Sequence, residues 1–376
     1  MPPRKLPAPR STARAAAKKK VPAVGRKQAP AVAEPIRAAA PPPGSGAGLL
    51  SDDNIGRLVF FLAMILLGAV LGVIYLNHQS QSTTNSPGGH HTLDSPYAAQ
   101  PFFRGAAQAQ SGLGAGHSTA RNLSFAYLGH GYQWFSLTDV NTPTPAKQYE
   151  TAGLVTVTGQ QVQYPFGSFL AYGVDRFLVV DTAQKAIDWI HADAGAAFLA
   201  APLVPPAPDF KSLRVLKGLD GVQIYNARLA RDQSALADAT ALWDRLLTSG
   251  DRLWGLVGDD TLDSSGPLST LGKTSVDVQA PTMTAVLVEA ALKQGAFVDS
   301  TGVRVLGVSD DNETITVVTT DATEIKFIGA GGKVLQVSHG SRGDYHLRWN
   351  EGYVRAEATR AGDGARAWTQ PIFVHP

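Results

Sequence analysis

The sequence predicts an α/β domain followed by a small C-terminal antiparallel β-sandwich, with a single transmembrane helix preceding both. Three observations predict this arrangement. Residues 117–300 alternate strand-like and helix-like segments, residues 301–376 contain short alternating runs separated by turns, and residues 58–76 are apolar and uncharged. Alternation of strands and helices indicates parallel strands joined by helical crossovers, in either a barrel or a doubly wound sheet.

Residues 1–56 are predicted to form a disordered, basic cytoplasmic tail. The segment is rich in Ala, Pro, Lys and Arg and shows no apolar periodicity, so it cannot bury enough surface to offset its ordering entropy. Residues 1–57 contain eleven Lys or Arg against three acidic residues, a net charge of +8, which leaves −6 for the rest of the chain. We expect weak contact with anionic lipid rather than with nucleic acid.

Residues 57–77 are predicted to form a single transmembrane helix. Leu58 to Leu76 are 19 residues without a charge. A helix of that length spans about 28 Å, close to the hydrocarbon core of about 30 Å. The basic tail places the N-terminus in the cytoplasm and the later domains outside, as in a single-pass protein of a bacterial inner membrane. Gly68 and Gly72 have the spacing of a helix-dimer face, so a homo-oligomer is one alternative.

After the predicted transmembrane helix, composition and periodicity predict a linker and the strands and helices of the α/β domain. The polar, Gly-rich segment 78–116 predicts a flexible linker, and the chain has no cysteine, which excludes disulfides and thiolate metal sites. The predicted strands of the α/β domain are 132–138, 154–158, 168–174, 196–201, 219–226 and 252–258. Helices are predicted at 182–195, with Ala186, Ile187, Ile190 and Ala194 on one face, and at 234–250.

Nine segments in a fixed order resemble the polymerase and histidinol phosphatase (PHP) family of metal-dependent phosphoesterases, in particular its bacterial members with an added β domain. The segments are LTDVN (137–141), VTGQQV (157–162), FGSFLAYGVDR (166–176), AIDWIHADAGAAFLAAP (186–202), LDGVQIYNA (219–227), WDRLL (243–247), GDDTL (258–262), FVDSTGV (297–303) and RAWTQPIFV (366–374). The resemblance implies a distorted (β/α)7 barrel over 117–300. It also implies a cluster of Zn, Mn or Fe ions, bound by His, Asp and Glu at the strand ends.

Most positions that match the family's metal ligands carry other residues in this chain. The family's ligands are matched here by Val140, Gln161, Ser168, Ala201 and Leu262, and its opening His-x-His has no counterpart in the sequence. Asp139 and Asp260 are the carboxylates that remain. Two isolated carboxylates cannot bind several divalent cations, so the resemblance implies no bound metal and no catalytic residue, with Asp139 and Asp260 as remnants of the family's site.

Other sites in the sequence are weaker. Asp259 and Asp260 are adjacent and could form a paired-carboxylate site, or simply a polar loop. His191 in a predicted helix and His130 in a turn are more simply explained by packing or exposure to solvent.

The favoured function is therefore a membrane-anchored, extracytoplasmic PHP-like pseudoenzyme that binds a ligand or scaffolds protein partners. Two alternatives remain open. One is a metal-dependent phosphoesterase or other hydrolase with a rebuilt site that uses Asp139 and Asp260. The other is a structural component of a cell-envelope assembly.

Overall fold

The computed structural model describes residues 91–375, which form a mixed α/β structure. The strands are β1 (Thr92–Asp94), β2 (Phe102–Ala109), β3 (Trp134–Leu137), β4 (Val155–Tyr164), β5 (Gly167–Tyr172), β6 (Ala196–Ala200), β7 (Gly221–Asn226), β8 (Trp254–Gly258), β9 (Ser275–Gln279), β10 (Phe297–Ser300), β11 (Val305–Asp310), β12 (Thr314–Thr319), β13 (Glu324–Gly329), β14 (Lys333–His339), β15 (Arg342–His346), β16 (Tyr353–Arg360), β17 (Ala365–Thr369) and β18 (Ile372–His375). The α-helices are α1 (Ala120–Gly129), α2 (Ala183–Ala192), α3 (Phe210–Arg214), α4 (Ala227–Asp232), α5 (Thr240–Thr248) and α6 (Ala285–Gln294).

Strands β2 to β8 follow one another in a curled sheet. The pairs β2–β3, β3–β4, β6–β7 and β7–β8 are parallel, whereas β5 runs antiparallel to both of its neighbours. The curl brings the end of β8 back to β2, where Ala109 and Thr261 form an isolated parallel bridge. The C-terminal ends of six strands and the N-terminal end of β5 therefore lie at one end of the sheet, here called the upper end.

Local sequence accounts for these elements. The inner strands are apolar on both faces, as expected for strands buried beneath helices. Gly105 in β2 is required by close packing, since a Cβ atom there would lie 1.9 Å from the Trp134 ring. Thr182 caps the N-terminus of α2, and that helix buries Ala186, Ile187 and Ile190 as predicted. Ala194, which was predicted on the same face, lies beyond the end of the helix at Ala192 and is exposed.

The C-terminal strands are antiparallel, as predicted for residues 301–376. Strands β11, β12 and β15 form a separate three-stranded sheet. A second apolar core that includes Val317, Phe327 and Tyr345 lies among these strands and those of the larger sheet. The larger sheet runs without a break from β16 and β17 through β10 and β9 to β2, so the boundary predicted at residue 300 does not separate two sheets.

The prediction of a flexible linker at residues 78–116 is wrong for residues 91–116, the part of that segment that the structure describes. Residues 92–94 and 102–109 are strands, and β2 lies between β9 and β3 inside the large sheet. After its two Phe residues the segment FFRGAAQA contains only residues with no preference for strands, and pairing between two strands fixes its conformation instead.

The predicted helix 234–250 is also shorter than expected. Its first part is a 3₁₀ turn, Ser234–Leu236, and α5 begins at Thr240. Asp238 explains the break, because its Oδ1 atom accepts a hydrogen bond from the backbone N–H of Thr240 at 3.0 Å.

The predicted membrane segment and tail, residues 1–77, lie outside the described residues. Within residues 91–375 no helix is long and apolar enough to cross a bilayer.

Candidate functional site at the upper end of the barrel

The upper end of the sheet brings most of the sequence-predicted positions together. Asp139 and Val140 follow β3, Gln161 lies in β4, Ser168 is the second residue of β5, and Asp260 follows β8. Backbone pairing joins several of them, since Val140 forms a parallel bridge with Gln161. Ala201 follows β6 and Leu262 lies two residues beyond Asp260. Ala201 and Asp260 have left-handed backbone conformations, with φ of 42° and 48°, an uncommon conformation for residues other than glycine.

Side-chain hydrogen bonds connect five strands at this end. We call this series of seven side chains the amide chain; its members in order are Gln108, Gln223, Asn226, Asp260, Gln110, Gln161 and Ser168. Consecutive members are 2.6–3.2 Å apart at their donor and acceptor atoms. Five of the seven are amides, which are neutral at every physiological pH.

Gln110 connects the two halves of the amide chain. Its Nε2 atom donates to Gln161 Oε1 at 3.1 Å and to Asp260 Oδ1 at 3.2 Å. Its Oε1 atom is buried and has no hydrogen-bond partner among the described residues. A buried acceptor without a donor costs free energy, so this oxygen is the point in the amide chain where a ligand N–H or O–H would be accepted.

Asp260 is already neutralised by an arginine. Arg228, in α4, donates from Nε at 2.9 Å and from Nη2 at 2.6 Å to the same carboxylate oxygen, Oδ2. Asn226 donates to that oxygen as well, at 3.1 Å. A divalent cation at Asp260 would have to compete with this guanidinium for the carboxylate.

Asp139 is buried and accepts several hydrogen bonds, none of them from a member of the amide chain. Its carboxylate accepts from the backbone N–H and hydroxyl of Ser111 and from the hydroxyl of Thr144, at 2.5–2.8 Å. Burial raises the pKa of Asp139, and these hydrogen bonds oppose that rise. The carboxylate is fully buried and therefore acts as an acceptor that orders the loop at 111–118.

Asp259 and Asp260 do not form a paired-carboxylate site. The Asp259 carboxylate accepts from Tyr127 Oη at 3.0 Å, from the backbone N–H of Gly272 at 2.8 Å, and from the N–H and hydroxyl of Thr274. Burial raises the pKa of Asp259 to about 6. Its partners are all different from those of Asp260, so the two adjacent side chains serve different parts of the structure.

None of the three histidines His191, His130 and His117 forms a hydrogen bond with a member of the amide chain. His191 Nε2 is 2.8 Å from Asp220 Oδ2, next to the start of β7 and therefore at the opposite end of the sheet. His130 is exposed at the C-terminus of α1. His117 is exposed and lies 3.2 Å from Asp263. The expectation that His130 and His191 have packing or solvent roles agrees with these positions.

These residues do not fit a cluster of divalent metal ions. In residues 91–375 no three His, Asp or Glu side chains converge on a point that could hold one. The upper end offers amides, a hydroxyl and one arginine-paired carboxylate, whereas Zn, Mn and Fe prefer imidazole and free carboxylate. The arrangement can donate and accept hydrogen bonds, but it supplies no free base or activated nucleophile.

Five side chains of this site were not predicted from the sequence: Gln108, Gln110, Gln223, Asn226 and Arg228. A signal was present at the first two, because Gln108 and Gln110 are two residues apart and therefore face the same side of a strand. It was not used because the strand itself was not predicted.

Comparisons with known proteins show similarity at the level of solved structures only. No family model matches the chain, and no curated protein matches it. One similar structure is a two-domain protein from Bacteroides vulgatus that contains a predicted PHP-like metal-dependent phosphoesterase; it has 12% identity, a TM-score of 0.43, and coverage of 75% of this chain and 89% of that chain. A candidate metal-dependent phosphoesterase from Bifidobacterium adolescentis has 12% identity and a TM-score of 0.35, covering 53% of this chain and 98% of that one.

A third similar structure is an amidohydrolase from Chromobacterium violaceum, solved with sulfate and without metal. It has 12% identity and a TM-score of 0.33, and covers 44% of this chain and 93% of that one. With TM-scores below 0.5, these three similarities neither place the chain in a family nor assign it an activity.

Proposed function

We propose that this chain is a non-catalytic binding protein built on a PHP-like barrel whose metal-binding end has been converted into a hydrogen-bonding surface. The observation that carries the proposal is the amide chain. It occupies the strand ends where the family resemblance expects His, Asp and Glu, and its one carboxylate is paired with Arg228.

The position of β2 extends this interpretation. The resemblance requires an opening His-x-His, and β2 is the first strand of the curled sheet. We propose that Gln108 and Gln110 occupy those two positions, since they are alternate residues at its upper end and both belong to the amide chain. The substitutions then change the ligand positions of β2, β4, β5 and β6 in the same sense, from charged or imidazole ligands to neutral groups, whereas Asp139 and Asp260 remain.

The experiment that tests this function is a metal and activity measurement on the full-length chain. The protein is purified, incubated with Zn, Mn or Fe salts, dialysed, and analysed by elemental mass spectrometry. Phosphomonoesterase and phosphodiesterase activity are then assayed with p-nitrophenyl substrates. We expect metal well below one ion per chain and no turnover above the blank. Stoichiometric metal together with turnover would overturn the proposal.

We further propose that the binding domain is anchored in a bacterial inner membrane by residues 58–76, with the tail in the cytoplasm. The support is the uncharged apolar segment after a tail of net charge +8. Protease added to spheroplasts should degrade the domain from the outside and leave a protected N-terminal fragment that contains the tail. A protected C-terminal domain in intact spheroplasts would contradict this orientation.

A further inference from the structure

A second polar cleft lies next to the first half of β2 and is lined by residues of β9 and of the loop before β3. It has a volume of about 190 Å³ and is lined chiefly by Arg104, Gln133, Ser275, Asp277, Ser300 and Arg304. These residues come from the starts of β2 and β9, the end of β10 and the loops beside them. The volume is below the ~300–1,000 Å³ of pockets for drug-sized ligands, so the cleft fits a small metabolite.

Asp277 is the most informative residue of the cleft. It is only 6% exposed, and its Oδ1 atom has no hydrogen-bond partner among the described residues. A buried carboxylate oxygen without a donor is costly, because it has lost its hydration without a replacement. A ligand that brings an N–H donor to this oxygen would remove that cost.

Two arginines supply positive charge around the same carboxylate. Arg104 lies opposite Asp277 in the β2–β9 pairing, and its guanidinium is stacked over the Tyr132 ring at 4.5 Å. Arg304 is exposed at the other side of the cleft. Neither arginine forms an ion pair within 4 Å with a carboxylate of the described chain, so both remain available to an anion.

The charges around Asp277 also affect its protonation. Burial raises the pKa of the Asp277 carboxyl, and a hydrogen bond from Ser275 and the charges of Arg104 and Arg304 oppose that rise. A ligand ammonium group at Oδ1 would act in the same direction as the arginines and favour the ionised carboxylate.

We propose that this cleft binds a small acidic amino compound, with its ammonium group on Asp277 and its carboxylates on Arg104 and Arg304. Two guanidiniums and one carboxylate give the cleft a net charge of +1, which is complementary to a ligand with two carboxylates and one ammonium group. Guanidinium–carboxylate contacts are strong and directional, and so are ammonium–carboxylate contacts. The site is separate from the amide chain and does not depend on the function proposed for it.

L-Aspartate and succinate are matched probes, because they carry the same two carboxylates and differ in the ammonium group. Binding to the full-length chain is measured by saturation-transfer difference NMR, which detects weak ligands of a large protein. We expect L-aspartate to bind about tenfold or more tightly than succinate, because its ammonium group adds one charge-assisted hydrogen bond to Asp277. Asp277→Asn should abolish this preference, and Arg304→Gln should weaken both ligands.

Arg348→Gln is the control, since it removes an exposed arginine from the loop after β15, and it should leave both affinities unchanged. Equal binding of the two probes, a preference that survives Asp277→Asn, or no saturable signal from L-aspartate at tens of millimolar would each overturn the proposal. If Asp277→Asn fails to fold, Arg304→Gln decides the matter, because that exposed side chain can be changed without disturbing the core. Unaltered binding in that variant would also overturn the proposal.

Discussion

Asp260 keeps its carboxylate but already has a cation beside it. Arg228 donates two hydrogen bonds to one oxygen, and Asn226 and Gln110 donate to the same carboxylate. The hydrogen bonds of this residue therefore fix the amide chain. Removal of either charge alone would leave the other partly buried and unpaired, which is more costly than loss of the pair.

Val140→His alone is expected to create no metal site. The new imidazole would lie beside Gln161, a poor ligand. The matched positions Ala201 and Leu262 would also remain unable to coordinate, and a single imidazole cannot retain a divalent ion through dialysis. The zinc content of the dialysed protein should equal that of Leu113→His, which adds a histidine to an exposed position in a nearby loop. One zinc per chain in Val140→His but not in Leu113→His would contradict this prediction and the interpretation of the ligand positions.

Glu289 in α6 should make stability depend on pH. Burial raises its pKa from 4.5 to about 7. The folded state then binds a proton that the unfolded chain has lost, so the stability present below about pH 4.5 decreases as the pH rises to about 7, by about 3 kcal/mol in total. Glu289→Gln should leave the free energy of unfolding nearly unchanged at pH 4 and raise it at pH 8.

The measurement is urea unfolding of both proteins at the two pH values. Glu150→Gln is the control, because that glutamate is exposed after the 3₁₀ turn Ala146–Tyr149. The same stability difference between Glu289→Gln and the parent at pH 4 and at pH 8 would show that Glu289 does not titrate as expected.

At the level of elements, the side chains of Gln370, between β17 and β18, and of Asp299, in β10, complete the edge of β8. The Gln370 amide accepts from the Gly255 N–H at 2.8 Å and donates to the Gly255 carbonyl oxygen at 3.0 Å. Asp299 accepts from the Val257 N–H at 2.9 Å. These contacts replace the hydrogen bonds that a neighbouring strand would make, so the edge of β8 is not left unpaired.

Gln370→Leu should therefore be strongly destabilising. It leaves the N–H and C=O of Gly255 buried without partners, and each such group costs about 1–3 kcal/mol. We expect the free energy of unfolding to fall by about 3 kcal/mol. Gln336→Leu, at a half-buried glutamine in β14, should cost much less. An equal decrease in the free energy of unfolding of the two variants would show that Gln370 has no special role at the edge of β8.

The sequence was most informative where patterns are local. The apolar runs of β3 to β8 and the buried face of α2 follow from periodicity, and each predicted strand overlaps an observed one. Strand β2 could not be found in this way, because its Gly, Ala and Gln residues are fixed by neighbouring strands. The amide chain was missed for the same reason, since Gln108 and Gln223 are 115 residues apart in sequence and meet only in the folded sheet.

At the scale of the molecule, the first and last strands of the described residues 91–375 are paired. Strand β1 pairs with β18, the last strand, and the hydroxyl of Tyr97 donates to the carbonyl oxygen of Phe297. A buried ion pair between Asp244 in α5 and Arg355 in β16 connects the curled sheet to the C-terminal strands. Residues 91–375 should therefore unfold as one cooperative unit rather than as a barrel and a separate sandwich.

A chain shortened to residues 110–376 should consequently fail to fold, whereas one shortened to 91–376 should fold. The shorter chain lacks β1 and β2, and so exposes the edges of β3, β9 and β18 that those strands cover. It also lacks Gln108, one end of the amide chain. Circular dichroism and thermal unfolding should show one cooperative transition for 91–376 and none for 110–376. A cooperative transition in 110–376 would mean that the barrel folds without its first strand, and would return residues 78–116 to the linker that the sequence predicted.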